Sequence, residues 1–112
     1  MTKLTFVIDK SNIDKKGFAP IKVNITINYK KARRTIEKVK PRYWNNKKHR
    51  VDKPKPHEPD NDYKRINEHL DKLQDDAKRF FKYCNENNIT INLDLAKDFL
   101  AGKITYTKQN NV

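Results

Sequence analysis

The side chains able to do chemistry here are a few tyrosines and histidines, one cysteine, and a large excess of cations. A tyrosine hydroxyl can attack a phosphodiester when Arg and His groups stabilise the developing charge. Tyr63, Tyr83 and Tyr106 have no such set near them in sequence. Helical spacing puts Tyr83 at a helix edge, and Tyr106 falls in a polar tail. His49, His57 and His69 are not spaced as metal ligands. With Cys84 alone there is no internal disulfide and no Cys-based zinc site. Cys84 lies on an apolar helical stripe, where a thiol serves as a small core residue. His49, within a basic stretch, is expected on phosphate, and His69 on a helix surface. Gly17 and Gly102 are the only glycines, too few for a phosphate-cradling loop. No catalysis and no cofactor are expected.

Charge is the dominant signal. The 112 residues carry 26 Lys plus Arg against 14 Asp plus Glu, a net of +12. Such an imbalance repels itself in the folded state and attracts polyanions, nucleic acid first. It is concentrated: residues 30–55 hold 12 basic side chains and only Glu37 and Asp52 as acids. A membrane surface is disfavoured. There is no lipid-anchor motif, no basic amphipathic helix and no apolar run of spanning length. Asp9 and Lys10 break the short apolar N-terminal stretch, so it does not read as a secretory signal. A cytoplasmic location is expected.

The elements that position these cations can be read from periodicity. Residues 3–8 alternate, with Leu4, Phe6 and Ile8 on one side. A loop around Gly17 leads to Pro20. Residues 20–28 alternate strictly, Ile21, Val23, Ile25 and Ile27 against Lys22, Asn24, Thr26 and Asn28. One face is therefore buried and one wet. A turn at 28–31 leads to a third strand over 32–39. Ile36 and Val39 cannot both point inward in a regular strand, so a bulge or an early end is expected. Residues 40–60 show no period, hold four of the five prolines and read as a long basic loop anchored by Trp44. Asp60 or Asp62 then caps a helix over 62–85. Its stripe is Ile66, Leu70, Leu73, Ala77, Phe80 or Phe81, and Cys84. Asn85, Asn87 and Asn88 end it, and 89–91 is a short extended piece. Asn92 caps a second helix through Leu100 with Gly102 as its stop. The tail 103–112 is polar and expected to be loose.

One oily sheet face and one oily helix stripe, in so small a chain, are expected to cover each other. The fold class is thus α+β, a three-stranded antiparallel sheet on one long helix plus a short second helix. The uncovered sheet face carries Lys22, Asn24, Thr26, Arg33 and Thr35. A short polar and basic sheet face suits the major groove of B-DNA, where Asn and Arg read base edges.

An ordered series carries a family resemblance: Gly17, PIKVNITIN at 20–28, the basic strand with Thr35, Val39-Lys40-Pro41, Trp44-Asn45, and Lys47-Lys48-His49-Arg50-Val51. With the later Ile66-Asn67, Leu70 and Ile89-Thr90, it resembles the N-terminal arm-type DNA-binding domain of tyrosine recombinases (phage-type integrases) of Bacteroidetes mobile elements. The likeness spans about residues 3–102. It departs from the pattern at the hairpin, Asn28-Tyr29-Lys30 in place of a glycine turn, and at Thr35-Ile36 in place of Thr-Gly. The resemblance implies double-stranded DNA as partner, bound at arm-type sites through Lys22, Asn24, Thr26, Arg33 and Thr35, and Lys30 and Lys31 at the turn are expected to bind DNA with them. It places Lys47, Lys48 and Arg50 in the basic stretch after the tryptophan. It also implies an arm domain over 1–88, a link with a short helix over 89–112, and a catalytic domain beyond residue 112, with neighbouring integrase protomers as further partners. Two other readings compete. An RNA-binding module is one, weakened because the wet face of the middle strand has no aromatic for stacking. A protein-interaction domain using 86–112 is the other.

Overall fold

The computed structural model describes residues 2–104. Strands β1 (Thr2–Ile8), β2 (Ala19–Ile27) and β3 (Lys30–Val39) form an antiparallel sheet in the order β1-β2-β3. A two-stranded ribbon follows, β4 (Trp44–Asn45) with β5 (Arg50–Val51), then helices α1 (Tyr63–Glu86) and α2 (Leu93–Leu100). The α+β architecture expected from periodicity is the one observed.

The alternation of β2 decides the layering. Ile21, Val23 and Ile25 are fully buried. They pack with Ile66, Leu70, Ala77 and Phe80 of α1 in two adjoining clusters that share Leu4, Leu73 and Leu100. Each of these side chains larger than alanine contributes about 1.5–3 kcal/mol on burial. Phe80 rather than Phe81 takes the core position, stacked on Phe99 of α2 at 4.6 Å between ring centroids. That contact ties α2 into the same core. Cys84 is buried beside it, and burial raises its thiol pKa.

The strand β3 changes phase at a bulge. Thr35 pairs with Lys22 and Glu37 with Ile21, leaving Ile36 without an opposite residue. The extra residue lets Ile36, Glu37 and Val39 all serve the helix-facing side. Ile36 packs against the core and Val39 is buried. Glu37 meets α1: Arg65 donates to both its carboxylate oxygens, at 3.0 and 3.1 Å, and His69 lies 2.7 Å from one of them. His69 lies on the surface of α1, as expected, and is also part of the joint between sheet and helix.

Chain ends and turns follow local chemistry. The β2–β3 loop is Asn28-Tyr29, with positive φ at Asn28 alone, the sign pattern of a type II′ turn. Asp62 is the N-cap residue of α1, but its side chain caps nothing. Asn61 does that work, its Oδ1 accepting from the Tyr63 N–H. At the other end Asn88 has φ 57°, Ile89 N–H donates to Cys84 O and Asn88 N–H to Asn85 O, a Schellman closure. Asn92 caps α2 through the Leu95 N–H, and Gly102 (φ 73°) closes it. Residues 89–91 pair with no strand. The tail from 105 onward, with Tyr106, lies outside the described residues.

The segment 40–60 is not one long loop. A single 3₁₀ turn at Pro41–Tyr43 precedes the β4–β5 ribbon, and Tyr43, Trp44 and Val51 are buried in the core. Trp44 is an anchor, as its isolation among charged residues suggests.

Leu70→Ala should cost about 2–5 kcal/mol in urea unfolding, because the site is fully buried between helix and sheet. A cost near zero would refute this packing. Burial works against ionisation of Glu37, but the bonds from Arg65 and His69 outweigh it and hold its carboxyl below the ordinary 4.5. A depressed folded pKa stabilises the protein above the ordinary value and loses that contribution as pH falls through the folded one. The melting temperature should therefore drop below about pH 4.5, and Glu37→Gln should flatten that drop.

Candidate nucleic-acid interface

Register arranges the outer sheet face as three rows. Lys3, Thr26 and Lys31 form one, Thr5, Asn24 and Arg33 the next, Val7, Lys22 and Thr35 the third. Strands are about 4.8 Å apart, so the face is roughly 10 Å wide, against about 12 Å for the B-DNA major groove. Lys3, Lys31, Arg33 and Thr35 are exposed. Lys22 is half-buried, its Nζ 2.9 Å from an Asp9 carboxylate oxygen. Asp9 also accepts from the side chains of Ser11 and Asn12 at 2.5 and 2.6 Å. Those bonds and the Lys22 ammonium hold its carboxyl far below the usual carboxylate range. Asn24 is 5% exposed and its Oδ1 has no hydrogen-bond partner.

Five of the sheet residues singled out from the sequence, Lys22, Asn24, Thr26, Arg33 and Thr35, share this face, and Lys31 joins them. Lys30 does not. It lies opposite Ile27, on the helix-facing side, because the hairpin loop has only two residues. Arg34 lies opposite Val23 on that same side and is exposed at the sheet's edge. Lys3 and Thr5 are face residues absent from the expected set. The alternation of Leu4, Phe6 and Ile8 was enough to place them there.

The β4–β5 ribbon adds a second basic element along β1. Asn45 Oδ1 accepts from the N–H groups of both Lys47 and Lys48 at 3.0 Å, which shapes the tip and turns those side chains into solvent. His49 reaches the sheet, its Nδ1 3.0 Å from the Phe6 carbonyl oxygen on the edge strand. That contact requires an Nδ1–H donor, so one ring nitrogen of His49 is engaged with backbone. Asn67 of α1 binds the Val51 peptide at both ends, accepting from its N–H at 2.8 Å and donating to its carbonyl at 2.9 Å.

Arg50 holds the ribbon down. It donates to Asp71 at 2.9 Å, to Gln74 at 2.6 Å and to the His49 carbonyl at 2.8 Å, and it lies over the Phe6 ring at 5.2 Å. Its side chain is 20% exposed. Of the three basic residues expected after the tryptophan, Lys47 and Lys48 are available and Arg50 is committed to the fold.

Tyr63 packs against the core, and Tyr83 lies on the helix surface. Among the described residues no group of three or more His, Cys, Asp or Glu could hold a metal ion, and no helix is long and apolar enough to cross a membrane.

Comparison with known families matches the chain to the Arm DNA-binding domain over residues 6–97. Comparisons with curated proteins and with solved structures find no match.

The split within the ribbon can be checked without a ligand. Arg50→Ala should lower the melting temperature clearly, since it removes the bonds to Asp71 and Gln74 of α1 and the contact with the Phe6 ring of β1. Lys47→Ala and Lys48→Ala should stay within about 0.5 kcal/mol of the parent, as exposed substitutions do. Equal effects at all three would mean that Arg50 is not the tie.

Proposed function

Because the chain belongs to the Arm DNA-binding domain family, the DNA-binding module typical of site-specific recombinases, we propose that it binds double-stranded DNA sequence-specifically at arm-type sites, with its outer sheet face in the major groove. The matched region corresponds to this non-catalytic domain and to no recombinase catalytic core. The observation that carries the proposal is the three-row face, about groove width, polar and cationic on one side of a sheet whose other side is sealed. Lys31, Arg33, Asn24, Thr26 and Thr35 would meet base edges and the phosphates lining the groove. Lys47 and Lys48, projecting beside β1, would meet the phosphates of one strand. Contacts of that kind position a domain without reading sequence.

In this reading the chain serves as the arm of a tyrosine recombinase of a Bacteroidetes mobile element, in the cytoplasm. Neighbouring integrase protomers would be its protein partners. The sequence series from Gly17 to Val51 supports that assignment. Single-strand RNA is the weaker reading, since none of the nine residues in the three rows is aromatic.

A salt titration against selected and random duplexes tests the proposal. Lys47→Ala and Lys48→Ala should weaken binding to both kinds of DNA alike. Each should flatten the dependence of log affinity on log salt by about 0.9 per lost phosphate contact. Arg33→Ala should chiefly narrow the gap between selected and random DNA. Lys72→Ala and Lys78→Ala, exposed on α1, should change little. Loss of binding in the helix variants with intact binding in the sheet variants would reverse the face assignment.

A further inference from the structure

We propose that Asn24 reads a single adenine, and that its carboxamide oxygen is completed only by that base. The inference rests on the sheet face being the duplex-facing surface. Asn24 occupies the middle row of the middle strand, with Thr5 and Arg33 opposite it on either side. It is the one buried polar residue among the described residues, and its Oδ1 is the one buried side-chain polar atom there without a partner.

Three other carboxamides of the described residues are used at both ends. Asn45, Asn61 and Asn67 each accept at Oδ1 and donate from Nδ2. A buried acceptor left unpaired is costly, and Asn is also a poor strand residue. A Val or Thr at this position would make a better sheet. The residue is thus unfavourable for the free protein on two separate grounds.

The missing partner must be a donor, which decides its chemistry. Phosphate oxygens only accept, so no backbone contact can satisfy Oδ1. In the major groove the donors are the N6 amino group of adenine and the N4 amino group of cytosine. Adenine alone sets an acceptor, N7, beside its donor. A carboxamide can then accept at Oδ1 and donate from Nδ2 to the same base. The side chain is short and sits among longer ones, Arg33 across the strand and Lys22 two residues away. Lys22 is held by Asp9. Only a base edge entering deep between these side chains reaches Asn24.

The test starts with selection from a randomised duplex library, by the chain and by Asn24→Ala, at one salt concentration. The parent should enrich duplexes sharing an invariant A·T pair. Asn24→Ala should lose that position alone and keep the others. In an enriched duplex, that adenine is then replaced by N6-methyladenine, which puts a methyl group where the groove-facing N–H was and keeps the pairing. The parent should bind it about 5- to 150-fold more weakly, the span of one good bidentate contact, and Asn24→Ala should not distinguish the two duplexes. The methyl measurement on the parent needs no variant, so it stands even if Asn24→Ala folds poorly. A parent indifferent to the methyl group overturns the proposal, as does a preference surviving in Asn24→Ala or an invariant C·G pair in that place. Enriched duplexes with no Asn24-dependent position would sink this inference alone. A chain that binds no duplex even at low salt would sink the duplex-facing reading and this inference with it.

Discussion

The burial of Ile21, Val23 and Ile25 beneath Ile66, Leu70, Ala77 and Phe80 is the constraint from which the rest follows. A strand has a period of two, so sealing one face of β2 commits every other residue to the opposite face. A one-residue slip would bury Lys22, Asn24 and Thr26 and expose the isoleucines. The cost of that slip is what makes the outer face well defined. Its three rows are thus a consequence of the core, although none of their residues except Asn24 is itself buried.

Two local devices reconcile a regular sheet with an irregular sequence. The bulge at Ile36 changes the phase of β3 after Thr35. Before it, Lys31, Arg33 and Thr35 look outward, and after it Glu37 and Val39 look toward the helix. Without it Glu37 would stand on the cationic face, and Arg65 and His69 would lose their partner. The ribbon β4–β5 is the second device. It has only two residues per strand and cannot hold itself. Asn67 and Arg50 fasten it to α1, while Trp44 and Val51 sink into the core. The result carries Lys47 and Lys48 alongside β1 on a rigid mount.

Much of this was legible in the sequence, and the parts that were not share a cause. The alternation of 20–28 and the stripe from Ile66 to Cys84 are local periods, and both elements appear where those periods place them. The bulge was foreseeable because Ile36 and Val39 conflict within one strand. The ribbon was hidden, since two-residue strands leave no period and its support comes from α1, sixteen or more residues away. Arg50 looked like its neighbours Lys47 and Lys48 because charge alone does not disclose a partner such as Asp71. The facing of Lys30 is not legible in the turn at 28–31, because it depends on loop length, and the two-residue Asn28-Tyr29 loop sets Lys30 opposite Ile27. The cap at α1 fell to Asn61 rather than to the aspartates flanking it, a choice made by backbone geometry at Asp62, whose φ is 60°.

The central claim is that the sealed face of the sheet makes the opposite face the one that meets DNA. Backbone amide shifts, followed by NMR while a selected duplex is titrated into the labelled chain, test it most directly. The account predicts that the largest changes cluster at Lys22–Thr26, Lys31–Thr35 and residues 45–48. The solvent side of α1, around Glu68, Lys72 and Lys78, should stay still. Changes concentrated on that side of α1, with the sheet and ribbon unmoved, would contradict it.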